Sequence, residues 1–347
     1  MATYQDIKGL RVKFLSADPS NLSEGDVWYN STSDTLKAAV FGSAAWASGG
    51  NYPAVVSSIL SMGVQTAALG CGGNTPTPPN YQNNVNEYDG STWTAVNAMS
   101  QIRKAGGQGG TQTAGIVFGG SFQHIPAGQP KATTATEEYD GTNWTTTGAM
   151  PVGKDSFGSG GTQAAAFGAG GYISPSDPGS QVNTCEDFNG STWTAGNVIN
   201  TARMEMAAGG GLGTATAGLI TAGRIGTTAT GATEEYDGST WTTVTASPLT
   251  LYAAGATGTQ TAAKTFGGQT TTGSAPTTQT ASTDYDGTSW TASGTLGTAR
   301  WATTGAGTQG AAMTTGGDDN VGSPTPVSFA TEEFSEAAVE AQTITTS

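Results

Sequence analysis

One octapeptide, Glu87-Tyr88-Asp89-Gly90-Ser91-Thr92-Trp93-Thr94, returns in near-copy along most of the chain and narrows what that chain can fold into. The copies are Glu138-Tyr139-Asp140-Gly141-Thr142-Asn143-Trp144, Asp187-Phe188-Asn189-Gly190-Ser191-Thr192-Trp193, Glu235-Tyr236-Asp237-Gly238-Ser239-Thr240-Trp241 and Asp284-Tyr285-Asp286-Gly287-Thr288-Ser289-Trp290. Each reads as a β-hairpin in which an aromatic residue ends one strand, Asp/Asn-Gly reverses the chain and Trp opens the return strand. Asp and Asn tolerate positive φ and Gly has no Cβ to clash, so a tight reversal is expected.

The strand-opening tryptophans are Trp46, Trp93, Trp144, Trp193, Trp241 and Trp290, spaced 47, 51, 49, 48 and 49 residues apart. Repetition at this period signals a propeller or a solenoid. Ten residues after each Trp stand Val56, Arg103, Lys154, Arg203, Leu251 and Arg300. Paired glycines follow at 72–73, 119–120, 170–171, 267–268 and 316–317, with Ala222-Gly223 in the remaining unit. Ahead of them stand Gln65, Gln112, Gln163, Gln260 and Gln309, with Ala215 as the exception. Each unit thus resolves into four strands. The first is rich in Gly, Ala and Thr, the second ends at the glycines, the third carries the acidic-aromatic pair and the fourth carries the Trp.

The two ends of the repeat complement each other. Trp46 has no acidic-aromatic strand before it, and Thr331-Glu332-Glu333-Phe334 has no Trp after it. Together they make one complete unit, so six tryptophans and six aromatics (Tyr88, Tyr139, Phe188, Tyr236, Tyr285, Phe334) predict an all-β, six-bladed propeller. Its ring is closed by pairing of the N-terminal and C-terminal strands, which covers edges that an open array would expose. A buried indole removes roughly 150–250 Å² from water, on the order of 4–6 kcal/mol as an upper bound. The basic residue ten after Trp is expected to pair with a third-strand carboxylate, notably Glu137, Glu186, Glu234 or Glu332, because buried charges need partners.

The expected domains are an attachment segment with a β-hairpin (1–45), the propeller (46–334) and a C-terminal tail (335–347). Within the first, a short strand is expected over 7–14, then a hairpin with Gly25-Asp26-Val27-Trp28-Tyr29-Asn30 and a return strand from Thr35 to Phe41. Charged residues are only 11% of the chain, whereas aromatics recur at regular intervals, which argues for a folded chain. The net charge of −14 argues against nucleic acid and anionic membranes as partners. The two cysteines, Cys71 and Cys185, fall in different units and are expected as inert thiols. No basic-then-apolar leader and no transmembrane run is seen, so membrane insertion is not expected and the expected site of synthesis and folding is a cytosol.

Two resemblances follow from these residues. The stretch around Gly25-Asp26-Val27-Trp28-Tyr29-Asn30, over about the first 48 residues, resembles hairpin modules of many tailed-bacteriophage virion proteins, tail fibres among them. From Trp46 to Phe334, the four strands, paired glycines, Tyr and Trp resemble the kelch repeat. Two units depart from it by lacking the basic residue, and the Trp follows the Tyr by only five residues.

Chemistry-bearing candidates are few. A single histidine, His124, excludes a multi-histidine metal site and argues against a Ser-His-Asp triad. The Asp-Gly turns supply one acid per blade, whereas calcium needs converging oxygens. They also differ from the sialidase Asp-box, in which one residue separates Asp from Gly. The doubled acids Glu137/Glu138 and Glu234/Glu235 point to opposite faces of their strands, so neither pair shares a cleft. Asn30 and Asn189 match glycosylation acceptors by chance. No cofactor, catalytic residue or metal ligand is assigned.

In a four-stranded meander one face carries short near-identical turns. The other carries loops that differ in every unit, at 74–84, 121–135, 172–182, 224–232, 269–281 and 318–330. Candidate binding residues on that face are Tyr81, Phe122, His124, Lys131, Tyr172 and Arg224, because varied loops on a rigid scaffold suit recognition. The phage resemblance implies a non-enzymatic virion protein, a tail fibre or host-recognition component. It would be attached to other virion proteins by its N-terminal segment, could form a homo-oligomer, and would meet a host-surface glycan or protein. A capsid decoration protein and a carbohydrate-active propeller enzyme are the alternatives.

Overall fold

The computed structural model describes residues 12–124, 130–173, 181–209, 212–270, 277–319, 328–337 and 339–344, and these contain strands, bridges and turns but no helix. The chain divides into two units, Trp46–Ser335 and a smaller one made from both chain ends.

Six four-stranded sheets lie in the larger unit. The first comprises Leu60–Val64, Ala67–Cys71, Val85–Tyr88 and Trp93–Val96, and the second Gly107–Thr111, Ala114–Phe118, Thr136–Tyr139 and Trp144–Thr147. The third comprises Gly158–Thr162, Ala165–Ala169, Cys185–Phe188 and Trp193–Gly196, and the fourth Gly213–Thr214, Ala217–Thr221, Thr233–Tyr236 and Trp241–Val244. The fifth comprises Gly255–Thr259, Ala262–Phe266, Ser282–Tyr285 and Trp290–Ser293. The sixth joins Thr304–Gly307, Ala312–Thr315 and Thr331–Ser335 to Ala45–Ser48, so Phe334 and Trp46 share a sheet across the full length of the unit. Strand neighbours are sequential and antiparallel in the first five sheets. The first strands touch one another in succession, and the sixth sheet's touches the first sheet's.

The repeated hairpin is wider than a two-residue reversal. Tyr88 pairs directly with Trp93, leaving a four-residue loop. Only its glycine takes positive φ (Gly90, 90°), so the expected use of Asp at positive φ is corrected. Asp89 instead works as an acceptor. Its Oδ1 receives the backbone N–H groups of Ser91 (2.8 Å) and Thr92 (2.7 Å), and its Oδ2 receives the Thr92 hydroxyl. Those donors hold the carboxyl well below the usual range. Asn189 makes the same backbone contacts without a charge, so geometry rather than charge selects this position.

Adjacent sheets are joined by side chains that reach back one unit. The Gln112 amide donates to the carbonyls of Ala68 (3.1 Å) and Tyr88 (2.8 Å), and Gln163, Gln260 and Gln309 each make the same contact to the sheet before their own. Gln65 in the first sheet reaches Ala312 and Phe334 in the sixth. Tyrosine hydroxyls follow the same direction: Tyr139 to Glu87, Tyr285 to Glu235, and Tyr88 to Glu333 (2.6 Å). Burial and the Glu333 carboxylate push the Tyr88 hydroxyl up to about 12, so it stays a donor. Where Phe188 replaces Tyr, Glu138 in the preceding sheet keeps a buried oxygen with no partner, and burial raises its carboxyl.

The tryptophans bridge sheets likewise. Trp193 lies 4.6 Å from Phe118, and Trp46 lies 4.9 Å from Phe266. Trp93, Trp193 and Trp241 are buried, whereas Trp46, Trp144 and Trp290 are only partly so, a correction to the uniform burial expected. The paired glycines are needed where the next unit comes closest. A Cβ on Gly72, at positive φ, would lie 2.4 Å from the Arg103 carbonyl.

Inside four sheets lies a buried ion pair: Arg103–Glu137 (2.5 Å), Lys154–Glu186, Arg203–Glu234 and Arg300–Glu332 (2.5 Å). These are the four carboxylates expected from sequence. The free backbone N–H groups of Ser100, Asn200 and Gly297 complete the acceptors of Glu137, Glu234 and Glu332. In the two remaining units the base and the acid are exchanged together. Val56 and Leu251 replace the base and Asn86 and Thr283 replace the acid, whereas the N–H donor varies separately: Pro53 and Pro248 remove it there, and Pro151 removes it in the unit that keeps Lys154–Glu186. A buried acid without its base costs several kcal/mol, so the members vary together.

The smaller unit is one sheet. Lys13–Leu15 runs parallel to Val27–Asn30, which pairs antiparallel with Thr35–Phe41 as expected. The strand expected over 7–14 lies mostly outside the described residues. The expected tail is corrected: Val339–Thr343 pairs antiparallel with Thr35–Phe41. Asp18 ties the sheet together by accepting from Lys37 (2.6 Å), Asn30 (2.8 Å) and the buried Trp28 indole (3.0 Å), which lowers its carboxyl to about 2.

Replacing Arg103 by Met alone is expected to cost about 3–5 kcal/mol in chemical denaturation, since Glu137 would stay buried and unpaired. Arg103→Val combined with Glu137→Asn reproduces the first unit's own solution and should recover most of that loss. A double variant no more stable than the single one would show that the ion pair is not the reason the members vary together.

Candidate functional site

The connection from each Trp strand to the next sheet crosses the centre of the larger unit in a left-handed conformation. Ser58, Ala105, Ser156, Glu205, Ala253 and Ala302 have φ of 52°, 51°, 56°, 50°, 50° and 48°. Their backbones form a cyclic hydrogen-bonded hoop. Ala105 N–H donates to Ser58 O (3.0 Å), Ser156 to Ala105 (2.8 Å), Glu205 to Ser156 (2.7 Å) and Ala253 to Glu205 (2.7 Å). Ala302 then donates to Ala253 (2.8 Å), and Ser58 donates to Ala302 (2.7 Å), which completes the cycle. Left-handed geometry costs an L-residue about 1–2 kcal/mol, and strain of this kind concentrates at functional sites.

The residue before each hoop member is fixed by an antiparallel bridge to the residue after the paired glycines. The bridges are Ser57–Asn74, Lys104–Ser121, Asp155–Tyr172, Met204–Arg224, Tyr252–Gln269 and Trp301–Asp318. Backbone atoms alone make them, so the side chains are left to differ, and no two bridges carry the same pair. All but the Tyr252–Gln269 bridge line a cavity of about 730 Å³ above the hoop, within the range of small-ligand sites.

Its polar groups are largely engaged. Both carboxylate oxygens of Glu205 take the Arg224 guanidinium, Oε2 from Nε at 2.5 Å and Oε1 from Nη2 at 3.0 Å. The Gly226 N–H donates to Gln181 (2.8 Å), tying the hairpin that follows Arg224 to the neighbouring loop. Asp155 accepts from the Ser121 hydroxyl (2.5 Å), and burial raises its carboxyl despite that bond and the Lys104 charge. The Lys104 ammonium sits 4.8 Å above the Tyr81 ring. Among the described residues, the buried Trp301 indole N–H has no acceptor.

Of the residues singled out from sequence, Tyr172 and Arg224 line the cavity, and buried Tyr81 supports Lys104 from below. Phe122 is not on the cavity wall, and the side chains of His124 and Lys131 lie outside what the structure describes. The backbone places all three residues on a hairpin, Ser121–His124 with Pro130–Ala132, where a loop was expected. Lys104, Asp155, Glu205 and Trp301 were not anticipated. The signal lay one and two residues past the basic marker, where otherwise similar units diverge.

Neither a protein-family model nor a curated protein sequence matches the chain. Among solved structures, one titled "Structure of YjhT" superposes with a TM-score of 0.68 at 13% identity, covering 84% of this chain and 99% of that one. At that identity the likeness speaks to fold alone. The protein is therefore all-β and of β-propeller type.

Asp155 binds its proton more tightly in the folded state than an ordinary aspartate does. Its stabilising contribution is therefore complete below the ordinary Asp value and lost as pH rises through the raised one. Asp155→Asn keeps an acceptor for Ser121 without the buried charge. It should melt at a higher temperature than the parent at about pH 8 and at the same temperature at about pH 3. Equal melting temperatures at both would show that the carboxylate is not destabilising the fold.

Proposed function

We propose that Trp46–Ser335 is a closed six-bladed kelch-like propeller, and that the protein is a non-enzymatic recognition component of a tailed-phage particle, a tail fibre or host-recognition element. The observation that carries the recognition role is the ring of bridges. A constant backbone hoop places a different residue pair from five of the six units on one cavity, as expected of a site selected for what it binds. Closure is supported by the cyclic hydrogen bonds and by Gln65, which reaches the sixth sheet as its counterparts reach the sheets before them. The smaller unit would attach the protein to other virion proteins, and a homo-oligomer is compatible with that role. The phage assignment rests on the resemblance of the N-terminal stretch.

One observation favours a carbohydrate-active enzyme instead: Asp155, Glu205 and Asp318 all line the cavity. Against it, Glu205 is held through both oxygens by Arg224 and Asp155 by Ser121, which suits fixed recognition better than proton transfer.

Particles labelled with an antibody against the cavity face and viewed by electron microscopy are expected to carry label at fibre tips. Label over the whole shell would replace adhesion with capsid decoration, and particles without label would remove the virion assignment.

A further inference from the structure

The hoop orders the six units around the cavity, and Ser156 and Ala302 are three hydrogen-bonded steps apart in either direction. The bridges beside them carry Tyr172 and Trp301, so these aromatic residues stand on opposite sides of one mouth. Between them the wall includes the hydroxyl residue Ser57 and the amide residue Asn74. Of its charged groups Arg224 is paired with Glu205, burial favours the neutral form of Asp155, which accepts from Ser121, and Lys104 rests on Tyr81, with Asp318 as a further acid on the wall.

Such a wall suits a ligand with flat C–H faces for aromatic rings and many hydroxyls for hydrogen bonding. A strongly anionic ligand would have to break buried pairs and approach a chain of net charge −14. We propose that the cavity binds the end of a neutral glycan, held between Tyr172 and Trp301. This rests on the reading of the cavity as a ligand site and narrows it to one chemical class.

The test uses the full chain on a printed array of neutral and acidic oligosaccharides, with a random-peptide array in parallel. Neutral glycans should be retained, with binding roughly tenfold or more weaker in Trp301→Ala and Tyr172→Ala. Trp301→Phe, which keeps a smaller aromatic face, should lie between parent and Trp301→Ala. Unchanged melting curves would exclude misfolding, and Phe122→Ala, outside the cavity wall, serves as the control that should bind normally. Retention of acidic glycans alone, lost in Lys104→Met, would overturn the neutral assignment. Peptide binding that depends on Trp301 with no glycan retained would overturn the glycan class and leave the cavity as a ligand site. Binding that none of the cavity variants weakens, or no binding on either array, would overturn both.

Discussion

The hoop of six left-handed residues is the constraint on which the rest of the larger unit depends. Each member donates to the carbonyl of the unit before it, so no unit can rotate or slip without breaking two hydrogen bonds in the cycle. The conformation is unfavourable for Ser, Ala and Glu alike and persists because a backbone bridge holds the residue before each member and the cycle holds the member itself. Its functional consequence is geometric. By turning the chain sharply at the centre, the hoop aims the preceding residue of five units at a common cavity.

Around that centre the sheets are secured by two kinds of contact with different tolerances. Contacts between sheets use long polar side chains that bond to backbone atoms, such as Gln112 to Ala68 and Tyr88. Loss of one leaves a local vacancy, as Ala215 and Phe188 show, and the fold absorbs it. The ion pairs inside sheets behave otherwise. Base and acid are buried together, so the first and fifth units replace both in concert, while Pro151 shows that the N–H donor can be lost with the ion pair kept. Those two units are natural double-variant controls written into one chain.

Much of the framework was legible because repetition exposes it. The residue that begins or ends each strand recurs in phase, so the four-strand unit, the shared sheet of Trp46 and Phe334, and the partners Glu137, Glu186, Glu234 and Glu332 could be read before any coordinates. The recognition residues were harder to see for the converse reason. Lys104, Asp155 and Trp301 occupy positions whose backbone does the structural work, so their side chains follow no repeat. Phe122 looked promising because it sits in a loop that varies between units, yet variation near a site does not put a side chain on its wall.

Sequence by itself determined the strand count per unit, the hairpin turns and the pairing of buried charges, because each follows from local periodicity or from the need of a buried ion for a counter-ion. Only the tertiary structure decided the hoop, the cavity above it and the capture of the chain's last strand by Thr35–Phe41. Those features join residues tens to hundreds of positions apart through backbone hydrogen bonds, which any amino acid except proline can donate and which therefore leave no mark on composition or pattern.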